Sequence, residues 1–446
     1  MTQPKAIAIA IHGQNYTYQQ LQMAVDKMSR VLSELPNGVI ALTADLNFDF
    51  IVQLLAAFKN KQPVLILSAS LSSEQIEARI QQIKNLMLID KTGRLLRVNS
   101  DSKASPHHPD TALILFTSGS QGQSKAVQLS QVNIEANCRA VIRALDFSGV
   151  KEQLLFLPLC YSYGLLGQLI PALMSGIHTH LITDFSTISG SLVSGVVPHM
   201  WSGVPSHWVV LCKIFSSFPE ASRKLTHVIS AGDKLSLPLR HRLSEQFPNA
   251  VIYNNYGLTE ASPRVLTLRS DDKAFFSEAA GYPVGDWQLK LTPEGEFWIK
   301  GSQMMLGYLG EPTHSKNNDG WMRTGDLAAI DSNQLVTITG RADRTFNING
   351  EKVNLDQIEA LLKNVGLKLR ALMQEDPIHG QRLVIAVEKN DLAHCHETLY
   401  DVINQAIQPW RHGFEIAVVE RFPHNSRGKV DQRALETIIL TRRTHD

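Results

Sequence analysis

The sequence predicts an α/β fold. It has a large N-terminal domain of mainly parallel sheets packed with helices, a small barrel-like β region, and a small C-terminal α+β domain. Three observations carry this reading. Short, continuously apolar runs recur along the first part of the chain, the pattern of strands buried on both faces. Amphipathic segments of helical period separate them. After about residue 281 the runs shorten, and Gly, Pro and Asn turns crowd between them.

In chain order, 38–44 (GVIALTA) reads as a buried strand, 48–59 as a helix and 63–68 (PVLILS) as the next strand. The runs 111–116 (TALILF), 154–157 and 227–230 (HVIS) repeat the theme. Shorter strands are expected at 287–291, 296–300 and 335–339, closing the large domain in a more antiparallel style. The stretch 340–349 (GRADRTFNIN) is dense in polar residues and marks a boundary near 340–343, giving domains 1–340 and 341–446. Beyond it come a helix at 354–362, a strand at 383–387, a helix at 397–407 and a strand at 414–419.

Composition narrows the function classes. Across 446 residues, 43 basic side chains balance 42 acidic ones, so no net field favours nucleic acid or an acidic membrane. With 43% hydrophobic and 19% charged residues the chain has ample material for buried cores and is not disordered. Cys138, Cys160, Cys212 and Cys395 are widely spread and form no CxxC pair, which fits a reducing compartment. No apolar run approaches the ~18–20 residues of a membrane helix. The apolar stretch 6–11 is short for a signal peptide. A cytoplasmic location without a membrane span is expected.

The chemistry begins at 113–127, LILFTSGSQGQSKAV. An apolar strand runs into Thr117, Ser118, Gly119, Ser120, Gln121 and Gly122, followed by Lys125. Glycines let backbone N–H groups approach an anion, hydroxyls add donors, and the lysine adds charge. The composition is that of a phosphate cradle. It is not a Walker A loop, since Ser124 precedes the lysine and Ala126 follows it. In isolation an ordinary polar strand-to-helix loop fits equally well.

The rest of the chain adds motifs in a definite order. The loop resembles the TSGTTGxPKG signature of the adenylate-forming superfamily, which includes acyl-CoA synthetases, peptide-synthetase adenylation domains and luciferases. Tyr256-Gly257-Leu258-Thr259-Glu260 is similar to its YGxTE, and Thr324-Gly325-Asp326 to its TGD. The segment 340–344 (GRADR) resembles GRxDD, and 349–353 (NGEKV) the xGxRV that follows. The segment 426–431 (SRGKVD) resembles TxxGKVDR, and Tyr16-Thr17-Tyr18 with Leu21 the early YTYxEL. The resemblance spans nearly the whole chain.

That resemblance implies an enzyme joining a carboxylic acid to the AMP part of ATP, followed by transfer to a thiol. Two anions must approach one another in the first step, so cationic and N–H groups are needed where charge builds up. Lys429 is implied as the cation shared by the carboxylate and the α-phosphate. Asp326 is implied to accept the ribose hydroxyls, with Arg341 supporting ribose or phosphates. Glu260 is implied as the Mg²⁺ ligand and Thr259 as an α-phosphate contact. Tyr256 would stack on adenine, with Gly232 and Asp233 of 230–234 (SAGDK) beside the base. Asp343 falls at the hinge position, about which the small domain is expected to rotate between half-reactions. Gly350 would border the pantetheine arm.

Several positions depart from the family pattern. The segment 157–164 (LPLCYSYG) resembles LPLFHxxG, with Tyr161 in place of a frequent histidine. Gln131 likewise stands where many members carry histidine, and Lys352 where many carry arginine. Amino-acid activators commonly hold the α-ammonium with an aspartate in this segment, and none occurs between Leu154 and Gly167. The implied substrate is therefore a small acid, aryl or short to medium acyl, without an α-amine. Candidate pocket walls are Tyr161, Ser162, Gly164, Val204 and Leu258. The acceptor is coenzyme A or the phosphopantetheine of a separate acyl carrier protein, the chain ending soon after the Lys429 motif. A degenerate nucleotide-binding protein without turnover is the reading from another class. Residues 394–397 (HCHE) crowd their donors onto neighbouring positions, a poor spacing for zinc.

Overall fold

The computed structural model describes residues 4–99, 105–117, 125–311, 319–348, 351–362, 367–376, 380–389, 399–406, 414–424 and 430–443. The chain divides into two compact units. The first comprises Met1–Lys290, Trp298–Thr324 and Ile330–Thr337; the second comprises Leu291–Phe297, Gly325–Ala329 and Ile338–Asp446.

Two large sheets organise the first unit. In the nine-stranded sheet the spatial order is Tyr282–Pro283, Arg264–Arg269, Val251–Gly257, His227–Ser230, Met200–Gly203, Glu152–Leu155, His178–Leu181, Ile7–Ile11 and Gln14–Thr17. The six strands from Val251–Gly257 to Ile7–Ile11 are mutually parallel, and antiparallel strands flank them. In the seven-stranded sheet Thr111–Phe116, Val64–Ser68, Val39–Ala44 and Leu86–Ile89 are parallel neighbours. Their apolar runs are buried on both faces: Val39, Ala41, Leu65, Leu67 and Ile114 share one cluster. Burial on both faces is why these strands show no polar alternation.

Local signals set the helices between them. Phe48–Lys59 starts where Asn47 accepts a hydrogen bond from the Phe50 N–H, with Asp49 in the first turn. Tyr18–Ser33 begins with a Thr17/Gln20 capping box.

One strand sits earlier than the sequence suggests. The run expected at 154–157 is a strand over Glu152–Leu155. Pro158 has no N–H to give a ladder, and the chain leaves the sheet before it. The polar residues Glu152 and Gln153 pair in register with His178 and Thr179 all the same.

A four-stranded sheet of Gln288–Leu291, Glu296–Lys300, Met322–Ile330 and Val336–Arg341 forms the small β region. In the second unit a three-stranded sheet has Gly380–Glu388 at its centre, antiparallel to Leu369–Asp376 and parallel to Phe414–Val419. Alternation gives this central strand two apolar faces. Leu383, Ile385 and Val387 join Leu355, Ile358 and Leu362 of the helix Leu355–Leu362. Val384 and Ala386 join Leu435 and Ile439 of the helix Gln432–Arg443. Among the described residues no helix is long and apolar enough to cross a membrane.

Candidate active site

In open parallel sheets, ligand sites form beyond the carboxyl ends of the strands. Met200–Gly203, His227–Ser230 and Val251–Gly257 all end on this side, with Gly203, Ser230 and Asn254 in register. Val204 follows the first strand and starts the helix Pro205–Phe215. Ala231, Gly232 and Asp233 follow the second. Gly232 adopts φ +86°, which favours glycine, and a Cβ there would lie 3.2 Å from Val204 Cγ1. Gly232 and Asp233 are exposed at this edge, and the Asp233 carboxylate accepts from the Lys234 N–H at 2.8 Å.

The third strand delivers the YGLTE segment. Tyr256 is half-buried near its end, and Thr259–Ala261 form a short 3-10 turn. The Leu258 N–H donates to Pro263 O at 2.9 Å, closing the loop under that turn. The Thr259 hydroxyl lies 3.2 Å from that of Ser162. Tyr161 precedes the short helix Ser162–Gly164, which passes into a π-helical turn at Leu165–Leu169. Such turns are rare and often occur at functional sites. Gly164 is packed so tightly that a Cβ would lie 2.6 Å from Pro158 O and 3.0 Å from Leu157 O. Tyr161 is half-buried and Ser162 buried.

The seven-stranded sheet contributes the base of the glycine-rich loop. Thr111–Phe116 and Ala126–Ser130 pair antiparallel, and the Thr117 N–H donates to Lys125 O at 2.9 Å. Ser118, Gly119, Ser120, Gln121 and Gly122 lie outside the described residues. Gly307–Tyr308 adds an antiparallel edge to Ala126–Ser130, with Tyr308 opposite Val127. That pairing places the Tyr308 ring 4.5 Å from Lys125 Nζ, which also meets Glu311 at 3.1 Å. The Tyr308 hydroxyl donates to Glu260 Oε1 at 2.8 Å, and the Met305 N–H donates to Glu260 O at 2.8 Å. Lys125, Tyr308 and Glu260 thus form one cluster. The Glu260 carboxylate and Thr259 hydroxyl are hard oxygen donors, the class that Mg²⁺ accepts.

The second unit holds a separate constellation. Asp326 lies on the buried side of its strand, as does Ala328 two residues on. Arg341 Nη1 donates to Asp326 Oδ1 at 3.1 Å, while its Nε donates to Asp343 Oδ1 at 3.2 Å. Burial works against the charge of Arg341, but the carboxylates of Asp343 and Asp326 outweigh it and hold the guanidinium above its ordinary value. Asp343 sits in the 3-10 turn Ala342–Arg344, and the next residue, Arg344, pairs with Asp356 and Glu359. Gly350 and Lys429 lie outside the described residues, as do residues 394–397.

Sequence reasoning missed Tyr308 as the partner of Glu260, 48 residues distant. It also missed a buried pair beside Ser162. The Tyr163 hydroxyl donates to Ile229 O at 3.2 Å, and burial pushes it up to about 12. The Arg264 guanidinium lies 5.5 Å over the Tyr163 ring, and burial pulls it down to about 10. Its Nε and Nη2 are buried with no hydrogen-bond partner among the described residues. Nothing in the spacing of an Arg after Ser-Pro signals such burial.

Residues 90–309 match the family model for AMP-binding enzymes. The matched segment is just under half of the chain. The glycine-rich loop, Tyr161–Gly164 and the YGLTE turn all fall inside it. Among curated relatives, a plipastatin synthase polypeptide of Bacillus subtilis is 24% identical over 99% of this chain, which spans 19% of that protein's length. The D-alanine--D-alanyl carrier protein ligase of Staphylococcus epidermidis is 26% identical, covering 98% of this chain and 97% of its own. Solved structures share the fold over nearly the whole chain. ATP-bound MatB from Rhodopseudomonas palustris superposes with a TM-score of 0.84 at 18% identity, covering 98% of this chain and 96% of that one. O-succinylbenzoate coenzyme A synthetase (MenE) from Bacillus subtilis, in complex with ATP and magnesium ion, gives 0.79 at 19% identity, with 97% of each chain covered.

Proposed function

We propose that this protein is an AMP-forming acid–thiol ligase. It activates a small carboxylic acid without an α-amine, aryl or short to medium acyl, and passes the acyl group to coenzyme A. In the first step a carboxylate oxygen bonds to the α-phosphorus of ATP, and the bond to pyrophosphate breaks. In the second a thiolate, its proton lost to solvent, attacks the carbonyl carbon, and AMP leaves with the electrons of the C–O bond.

The observation that carries the reading is the meeting of Lys125, Tyr308 and Glu260 next to a Thr259–Ser162 hydroxyl pair, beyond the carboxyl ends of parallel strands. Lys125 and the Thr117 loop would grip the phosphates. Glu260 would hold Mg²⁺, which when bound neutralises phosphate charge, and Thr259 would touch the α-phosphate. Tyr256, Gly232 and Asp233 would flank adenine, and Asp326 with Arg341 the ribose. Tyr161, Ser162, Gly164, Val204 and Leu258 would wall the acid. Lys429 would supply the ammonium shared by the reacting anions, Asp343 the hinge and Gly350 the passage for the pantetheine arm. The likeness to MatB, seen with ATP bound, and to MenE, a coenzyme A synthetase, supports ATP and coenzyme A.

A second acceptor, the phosphopantetheine of a separate carrier protein, is favoured by the likeness to the D-alanyl carrier protein ligase over nearly the full length of both chains. A pyrophosphate-release screen across aryl, fatty and amino acids, with coenzyme A or a carrier protein added afterwards, tests both. Turnover with an aryl or acyl acid and thioester formation on coenzyme A are expected. Release with amino acids alone would overturn the substrate class, and no release from a folded, ATP-binding protein would favour nucleotide binding without turnover.

A further inference from the structure

The nine-stranded sheet also has an amino-terminal edge, away from the ends that lead to Tyr161, Val204 and Gly232. Glu152 and His178 open two neighbouring parallel strands there and stand in register. Side chains alternate along a strand, so His180 falls on the same face as His178. The geometry is convergent. His180 Nε2 lies 3.3 Å from Glu152 Oε2, and His178 Nδ1 lies 3.8 Å from Glu152 Oε1. The two imidazole rings are 4.0 Å apart between centroids, and one donor atom from each of the three residues falls within 4.8 Å of the others. The histidine side chains are 15% and 18% exposed, whereas Glu152 is 41% exposed and opens the cluster to solvent. His178 Nε2 is buried with no hydrogen-bond partner among the described residues.

We propose that Glu152, His178 and His180 bind a divalent transition-metal ion of the zinc class, with solvent completing the coordination. A tetrahedral ion with bonds of about 2.0–2.1 Å holds its ligand atoms about 3.3–3.4 Å apart. The His180–Glu152 separation already meets that spacing, and the His178–Glu152 separation reaches it with a small side-chain movement. Two imidazoles and one carboxylate suit Zn²⁺ and its neighbours rather than Mg²⁺, which takes oxygen ligands. The site is therefore distinct in chemistry and in place from the oxygen donors at Glu260. Its consequence is structural: the ion clips together the beginnings of two parallel strands, adding a cross-link to the ladder that joins them.

The test uses the full chain, stripped with chelator and free of nucleotide. Calorimetric titration with Zn²⁺ should show one tight equivalent, and Co²⁺ should give visible bands of a four-coordinate ion. Glu152→Gln, at the exposed ligand, should weaken Zn²⁺ by about tenfold or more with an unchanged circular dichroism spectrum, and His180→Ala should remove the Co²⁺ bands. Zn²⁺ should raise the thermal midpoint of the wild type and not that of Glu152→Gln. No Zn²⁺ uptake by the wild type would overturn the site. So would uptake unchanged in Glu152→Gln, or uptake lost instead in His396→Ala.

Discussion

Arg341 and Asp326 are joined by a 3.1 Å hydrogen bond from Nη1 to Oδ1, and the same guanidinium turns its Nε toward Asp343. The carboxylate proposed to receive the ribose is thus held in place before any nucleotide arrives. Asp326→Asn keeps the shape but halves the acceptor capacity. The KM for ATP should rise about tenfold, roughly 1.4 kcal/mol, with a smaller change in the KM for the acid. Arg341→Lys loses the planar fork that reaches both carboxylates and should raise the KM for ATP by less. Steady-state kinetics with each substrate varied in turn distinguishes the two effects.

Lys429 is proposed to act in one half-reaction only. Lys429→Ala should lower adenylate formation by a factor on the order of 10²–10³, the usual cost of losing a preorganised charge-stabilising group. Thioester formation from supplied acyl-adenylate should survive. Separate assays of the two half-reactions check this, and equal loss in both would falsify the assigned role.

Tyr308 fixes one oxygen of Glu260 through its hydroxyl. Tyr308→Phe removes that bond while keeping the ring beside Lys125. The Mg²⁺ concentration giving half-maximal adenylation should rise about three- to tenfold, because an unheld carboxylate is a poorer ligand. Glu260→Gln should show a larger shift. An unchanged Mg²⁺ dependence in both variants would remove Glu260 from the metal site.

Arg264 is nearly fully buried, and two of its guanidinium nitrogens have no hydrogen-bond partner among the described residues. Burial pulls its pKa down to about 10. For a base lowered on folding, the cost of carrying charge is fully present below that value and is relieved as pH rises through it. At neutral pH burial of the Arg264 charge therefore works against stability. Arg264→Met, which keeps length and apolar volume, should stabilise the first unit by about 1–2 kcal/mol, read as a higher denaturant midpoint. A lower midpoint would mean that stacking on Tyr163 outweighs desolvation.

Much of the fold was legible because burial writes directly into sequence. The strands around Val39–Ala44, Val64–Ser68 and Thr111–Phe116 are apolar throughout, since both faces are covered. The helix Phe48–Lys59 carries its own start signal in Asn47. The strand at Glu152 was read two residues late, since its polar start is held by ladder pairing with His178 and Thr179 rather than by apolar burial. Motif residues of the candidate site were legible one at a time. Their partnerships were not: Glu260 with Tyr308 and Thr259 with Ser162 meet through side chains across 48 and 97 residues, and no local pattern encodes such distances. The same holds for Glu152 with His178, whose meeting is visible only once two parallel strands are in register.

The π-helical turn at Leu165–Leu169 works as a spacer. It accommodates one residue more than an α-turn. In a regular helix an extra residue would rotate Ser162 by about 100° relative to Ile170–Met174, and the widened turn absorbs it. Wound as an α-helix with the same number of residues, this segment would turn the Ser162 hydroxyl away from Thr259 with every side chain left intact.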